Sequence, residues 1–174
     1  GAISMSATAQ LLSQDGNISL RAPGNISISY IDADNGGTAT AGDVLINAAY
    51  TGPATGLVAT GSISDVLAAE TTNIKGNTLT LTAVTGIGDG GGGADIDTNV
   101  VSVTATNTTS GDVYVSEAAA GGAIAITGIS NTGGGHVGVT TGNGAITLTA
   151  VGSGGSGITN VGGGNVLVGG DLAD

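Results

Sequence analysis

One phrase recurs along the chain: a glycine, a small or polar residue, then two aliphatic residues one position apart. It reads Gly16-Asn17-Ile18-Ser19-Leu20, Gly24-Asn25-Ile26-Ser27-Ile28, Gly42-Asp43-Val44-Leu45-Ile46 and Gly111-Asp112-Val113-Tyr114-Val115. Four further copies are Gly122-Ala123-Ile124-Ala125-Ile126, Gly135-His136-Val137-Gly138-Val139, Gly144-Ala145-Ile146-Thr147-Leu148 and Gly164-Asn165-Val166-Leu167-Val168. A turn residue followed by strict alternation specifies a short β-strand with one buried face. Its recurrence specifies a repeat architecture. No helical three-and-four spacing competes with the alternation, and glycine opposes helix throughout.

The C-terminal half aligns onto itself at about 22 residues, within the range of solenoid repeats. One column of strand starts runs Leu79, Val101, Ile124, Ile146 and Val166, and extends backward through Ile63, Val44, Ile26 and Ile3. A second column holds Val113, Val137 and Ile158, which gives two short strands per repeat. Stacked in parallel register, Leu79, Val101, Ile124 and Ile146 are expected to pile up inside, with Leu81, Val103, Ile126 and Leu148 two residues on. Thr80, Ser102, Ala125 and Thr147, then Thr82, Thr104, Thr127 and Thr149, are expected outside as ladders that favour extended backbone. The glycine runs 90–93, 133–135 and 162–164 suit corners.

These features predict an all-β fold, a parallel β-helix (β-solenoid) with roughly 20–22 residues per coil, formed by residues 1–174 as one segment. A single coil buries a handful of aliphatics at roughly 1.5–3 kcal/mol each. Ordering its backbone costs on the order of 1–2 kcal/mol per residue, so stacking is compulsory. About eight coils fit in the chain, for a length of roughly 40 Å. Asp174 placed before Gly1-Ala2-Ile3-Ser4-Met5 regenerates the phrase, and neither end carries a polar capping repeat. The segment is therefore expected to continue into another like it, in tandem or end to end.

Composition narrows the picture. The chain has 174 residues with 35 glycines, no phenylalanine or tryptophan, and only Tyr30, Tyr50 and Tyr114 as aromatics. Many small aliphatics suit a thin stacked core, whereas globular cores lean on large aromatic side chains. That absence, with the near-constant period, argues against an antiparallel sandwich array. A mean hydropathy of +0.36 opposes disorder. Net charge is −11, with Arg21 and Lys75 the only strong cations, which excludes nucleic-acid binding and attraction to anionic membranes. No apolar run approaches the roughly 20 residues of a membrane span. The absence of cysteine excludes disulfides, thiolate metal sites and a cysteine nucleophile.

Leu79-Thr80-Leu81-Thr82-Ala83-Val84-Thr85-Gly86-Ile87-Gly88 resembles the repeats of giant bacterial surface proteins of the filamentous haemagglutinin type. So do the run from Ala105 to Glu117 and Gly144-Ala145-Ile146-Thr147-Leu148-Thr149-Ala150. The resemblance is strongest over residues 76–169. It implies a right-handed parallel β-helix, secreted by Gram-negative-type cells, often through two-partner secretion, and used as a fibrous adhesin or coat. This chain would be shaft, extracellular or at the cell surface. Its implied partners are further copies of itself, and glycans or other cell surfaces.

Candidate chemistry is sparse. Asp32-Ala33-Asp34-Asn35-Gly36-Gly37, with Asp43 twelfth, has the outline of a calcium loop. Gly36 stands at a ligand position and the closing glutamate is missing, which favours an acidic turn. Gly90 to Asp97 resembles one nonapeptide calcium repeat, but Asp97 falls where an apolar residue belongs and the unit does not recur. Asp32, Asp34, Asp95 and Asp97 are thus the calcium candidates, and no other cofactor is expected. His136, the only histidine, has no triad or metal partner in the pattern. Arg21 and Lys75 are too isolated for an anion clamp, and no P-loop ending follows the glycine runs. Asn17, Asn25 and Asn107 head Asn-x-Ser/Thr sequons, so glycosylation competes with plain turn chemistry there.

The leading expectation is a structural shaft of an extracellular bacterial fibre or surface adhesin, growing by end-to-end stacking, and not an enzyme. Threonine rows such as Thr80/Thr82 and Thr147/Thr149 make ice binding the alternative, although Ser102, Ala125 and Leu167 break the rows. A carbohydrate-active β-helix needs two positioned carboxyl groups, and here the acids are scattered among turns.

Overall fold

The computed structural model describes residues 1–36, 41–53, 56–69, 71–90, 94–118, 122–149 and 157–170. Gly37, Gly91 to Gly93, Ala150 and Asp174 of the motifs above lie outside the described residues. The described residues form strands and no helix. In chain order these are β1 (Ile3–Ser4), β2 (Gln10–Leu12), β3 (Ile18–Arg21), β4 (Ile26–Ile28) and β5 (Tyr30–Asp32). Next come β6 (Val44–Asn47), β7 (Ile63–Asp65), β8 (Ile74–Ala83), β9 (Ile96–Asn107) and β10 (Gly111–Glu117). The last are β11 (Ile124–Asn131), β12 (Gly134–Thr141), β13 (Ile146–Leu148), β14 (Ile158–Asn160) and β15 (Val166–Gly170). All strand pairs among them are parallel; the bridge between Asp89 and Ala94 is antiparallel.

Register sorts the strands into three columns. In the first, Ile3, Ile26, Ile63, Ile87, Val113, Val137 and Val166 pair in succession. In the second, Leu11, Ile31, Ile74, Thr98, Glu117 and Thr141 do the same. In the third, Ile18, Val44, Leu79, Val103, Ile126 and Leu148 are paired. The chain visits first, second and third column in that order and then returns to the first. Most hydrogen-bonded partners between successive visits are 22 to 26 residues apart. Longer intervals of 29, 35 and 37 residues also occur.

Several expectations from the sequence are corrected by this register. There are three columns, not two, and the supposed first column mixes them: Ile3, Ile26, Ile63 and Val166 belong with Val113 and Val137, while Val44 lies under Leu79. Ile158 pairs with Ile129 instead of with Val137. Leu79 pairs with Val103, and Val101 is 63% exposed. The cause is a bend inside β9: Val100 and Val103 are both buried, so alternation breaks between them and the solvent side falls to Val101. The pairings Val103–Ile126–Leu148 and Ile124–Ile146 are as expected.

Outside, Thr82, Thr106, Ser130 and Thr159 form one unbroken rank, and Thr78, Ser102, Ala125 and Thr147 another. Thr104 and Thr127 share a hydroxyl–hydroxyl hydrogen bond of 2.7 Å. Inside, the core is isoleucine, leucine, valine and alanine, each aliphatic resting on the next.

Glycine is required where successive visits approach most closely. A Cβ on Gly42 would strike the carbonyl of Gly16, and one on Gly61 would strike the carbonyls of Gly24 and Ala48. Gly61→Ala should therefore destabilise the fold by about 1–3 kcal/mol through overpacking against immobile backbone. Gly169→Ala, where nothing lies within 4 Å of the added methyl, should be near neutral. Urea unfolding of the two variants checks the contrast.

Candidate functional site

The polar residue that follows glycine in the recurrent phrase has a specific task. Asn17 Oδ1 accepts the Asp43 N–H at 2.8 Å, and Asp43 Oδ1 accepts Asn77 Nδ2 at 3.0 Å and the Thr78 N–H at 3.2 Å. Asn25 Oδ1 accepts the Ser62 N–H at 3.1 Å, and Asp112 Oδ1 accepts the His136 N–H at 2.6 Å. His136 Nδ1 in turn accepts the Asn165 N–H at 3.1 Å. Each lead-in side chain thus satisfies a backbone donor of the next rung that the sheet ladder does not reach. The sole histidine is one of these acceptors.

A second polar array is internal. At the end of the third column Ala83 pairs with Asn107, Asn107 with Asn131, and Asn131 with Asn160. Asn107 Nδ2 donates to Asn131 Oδ1 at 3.0 Å, to Ser110 O at 2.8 Å and to Gly111 O at 3.1 Å. Asn131 Nδ2 donates to Gly111 O and His136 O, while its Oδ1 accepts the Gly133 N–H. Asn107 Oδ1 accepts the Gly86 N–H at 3.0 Å. The ladder closes the turns that lead from the third column back to the first.

Outward-facing reactive groups gather in a groove on the first column, beside the Asp89–Ala94 bridge. It consists of two depressions of about 330 and 400 Å³ that share Asp89. Tyr114, Asp95, Ser116 and Thr140 line one; Asp65, Asp112 and Ser64 are among those lining the other. Burial raises Asp65 above the usual carboxylate range, against hydrogen bonds from the Leu67 N–H and Asn73 Nδ2 that lower it. Burial, then the charges of Asp112 and Asp89, raise the Tyr114 phenol. Tyr114 pairs with Gly138, and Cβ atoms on Gly138 or Gly90 would collide with its ring. The ring covers the gap that glycine leaves in the neighbouring strand. The groove offers hydrogen-bond acceptors and one apolar ring to a hydroxylated or cationic ligand.

The calcium candidates do not converge. Asp32 accepts Tyr30 Oη at 2.9 Å and the Asp34 N–H at 2.8 Å, and Asp34 pairs with Lys75 Nζ at 3.0 Å. Lys75 supplies the cation of that turn, and the Asp34 bond is the main reason its ammonium pKa is raised. Asp95 lies in the groove, whereas Asp97 is buried, its N–H given to Asn73 Oδ1. Among the described residues, no three histidine or carboxylate side chains come together as a metal site. Arg21 lies 5.4 Å from the centre of the Tyr50 ring, a cation–π contact.

Of the three sequons, Asn17 and Asn25 are exposed and make no hydrogen bond from Nδ2 among the described residues. Asn107 is 0% exposed with its amide nitrogen engaged, so the folded chain offers no acceptor there. Glu117, at 0% exposure, belongs to no motif of catalytic or metal-binding spacing. Alternation could have found it, since Val113, Val115 and Glu117 share one face.

Asn131→Asp keeps the acceptor and loses both donors, so it should cost about 1–3 kcal/mol, with part recovered at acid pH where the protonated carboxyl donates once. Asn17→Asp keeps the only group that position uses and should stay within about 0.5 kcal/mol. Urea unfolding at neutral and acid pH compares them. Searches of protein-family models, curated proteins and solved structures return no match to this chain.

Proposed function

We propose that the chain is a structural shaft: a stretch of right-handed parallel β-helix belonging to an extracellular bacterial fibre or surface adhesin, lengthened by stacking its end rungs on further copies. The first column carries this reading. It runs in parallel register from Ile3 to Val166, through seven paired residues, while the chain passes through the other two columns between each pair. Parallel strands joined by crossover connections are right-handed in nearly all known cases, which gives the proposed hand. Edge strands present unpaired amides and invite further strands. At one edge of the columns, Leu148, Val166, Leu167 and Val168 are exposed, and at the other Leu12 is. Lead-in asparagine and aspartate side chains use their acceptors on neighbouring rungs, which suits a molecule whose task is its own continuation. The bacterial and extracellular part of the reading rests on the resemblance of residues 76–169 to filamentous haemagglutinin-type repeats.

The unbroken rank Thr82, Thr106, Ser130 and Thr159 favours ice binding as a second reading. Against it, the register shift between Ile126 and Gly128 disturbs the adjoining rank, and Thr104 and Thr127 bond each other. Thermal hysteresis in solution distinguishes the two.

Concentrated protein should form fibres of uniform width, with a repeat of about 4.8 Å along the fibre axis by diffraction. Val166→Lys, which puts a charge on the exposed end of the first column, should stop their growth and leave single chains by sedimentation. Wild-type protein that stays monomeric at every concentration would count against end-to-end stacking.

A further inference from the structure

We propose that Glu117 is held inside the sheet as the neutral acid, and that its ionisation loosens the second column, so that the fold contains a pH-sensitive joint between β9 and β10. The inference is independent of the shaft reading and rests on the geometry around one side chain. Glu117 occupies the rank in which Leu11, Ile31 and Ile74 precede it and Thr98 and Thr141 flank it. Its exposure is 0%.

Four polar contacts surround the carboxyl group and its neighbour. Glu117 Oε2 lies 2.6 Å from Thr98 Oγ1, and Thr98 Oγ1 lies 3.1 Å from the Ser116 carbonyl oxygen. The Val100 N–H reaches Oε1 at 3.1 Å and Oε2 at 3.3 Å. A threonine hydroxyl has one proton to give, and a carbonyl oxygen only accepts. Both Thr98 contacts are therefore hydrogen bonds at once only when Oε2 carries a proton: Oε2–H donates to Thr98 Oγ1, Thr98 donates to Ser116 O, and Val100 N–H donates to Oε1. The carboxylate would have to take the Thr98 proton and leave the Ser116 contact without one.

No cation compensates a charge at this place. From β9 the neighbours are Thr98 and Val100, from β12 Thr141, and beyond Thr98 on β8 Ile74, all uncharged. Asp97 on β9, itself buried, pairs with Ser116 and not with Glu117, while Lys75 on β8 and Asp112 on β10 stand at alternate positions, on the opposite face of their strands. His136, the third residue of β12, is exposed and spends Nδ1 on the Asn165 N–H. The chain has one lysine and one arginine; Lys75 is paired with Asp34 and Arg21 lies over Tyr50. A buried, unpaired carboxylate is costly, so the group stays protonated or the strands part to admit water. Consistently, burial pushes the Glu117 carboxyl up to about 7 from 4.5, against the Thr98 and Val100 bonds that lower it.

The sign follows from that direction. A carboxyl whose pKa is higher folded than unfolded favours the fold below the unfolded value, and the advantage is lost as pH rises from about 4.5 through about 7. The joint is tight in acid and slack in mild alkali. Hydrogen exchange of the Val100 and Ala118 amides, corrected for its intrinsic pH dependence, should accelerate above neutrality, since Ala118 N–H bonds Thr98 O across the same contact.

Infrared spectroscopy with carbon-13-labelled glutamate tests the proposal directly, because Glu70 and Glu117 are the only glutamates. Wild-type protein should keep a protonated glutamic acid band at pH 6 that disappears above pH 8, and Glu117→Gln should lack it. The melting temperature of the wild type should fall between pH 5 and pH 8 by more than that of Glu117→Gln. A wild-type spectrum showing only carboxylate at pH 6 would overturn the proposal even if the variant failed to fold. A folded Glu117→Gln protein with the wild-type pH dependence would overturn the joint.

Discussion

A strand can join a parallel column only if its backbone comes within hydrogen-bonding distance of the rung before it, bends included. Everything distinctive in this chain follows from that constraint. At the bends the ladder geometry fails and side chains collide, so glycine stands on glycine: Gly24 beneath Gly61, Gly16 beneath Gly42, Gly111 beneath Gly135. The next residue then supplies a side-chain acceptor, as Asn17, Asp43 and Asp112 do, for an amide that the ladder leaves unpaired. Only after these two positions does the aliphatic alternation begin. The recurrent phrase is thus a sequence of three physical requirements, namely close approach, donor satisfaction and burial, met in the order in which the chain encounters them.

The interior changes character along the columns. In the N-terminal half the second column is Leu11, Ile31 and Ile74, and the third column ends on alanine. In the C-terminal half the same places hold Thr98, Glu117 and Thr141, and Asn107, Asn131 and Asn160. Aliphatic burial contributes roughly 1.5–3 kcal/mol per side chain but is indifferent to which isoleucine meets which valine. A slip of one residue turns every side chain to the opposite face, yet a slip by a whole repeat leaves an all-aliphatic column nearly unchanged. Asparagines whose amides reach specific carbonyls add to the cost of the one-residue slip, because each would strand buried donors. The polar ranks fix register in the half of the molecule where glycine is densest and the aliphatics are smallest.

Strand positions and the parallel stacking of Val103, Ile126 and Leu148 were legible from alternation and period alone. The number of columns was not. Counting phrases finds only strands that start after glycine, and the second column begins inside continuous strands: Ile74 opens β8 and Thr98 lies within β9, each of which bends on into the third column. A bend places two inward residues out of step, as Val100 and Val103 are, and a simple period then misassigns Val101. Past the bend the alternation is regular again, and Ala105 and Asn107 continue the inward face of Val103, which buries the Asn107 sequon. The polar groups of the groove are spread over residues 62–140, and only the stacking of the first column brings Asp65, Asp89, Asp112 and Tyr114 together. Spacing along the chain carries no trace of that gathering.

The placement of charge bears on the proposed shaft. With a net charge of −11 and both basic side chains engaged within the chain, lateral approach of two such molecules brings like charge to like charge. The column ends differ, since what an end rung offers is strand backbone and aliphatic side chains such as Val166 and Leu148. In the proposed shaft, sideways contact is thereby discouraged, and salt should relax that discouragement because exposed charges are screened. Edge strands are ordinarily a hazard that proteins blunt with lysine or proline. On the proposed reading, acid along the flanks and aliphatic side chains such as Val166 on the described end strand would favour growth in length over growth in width.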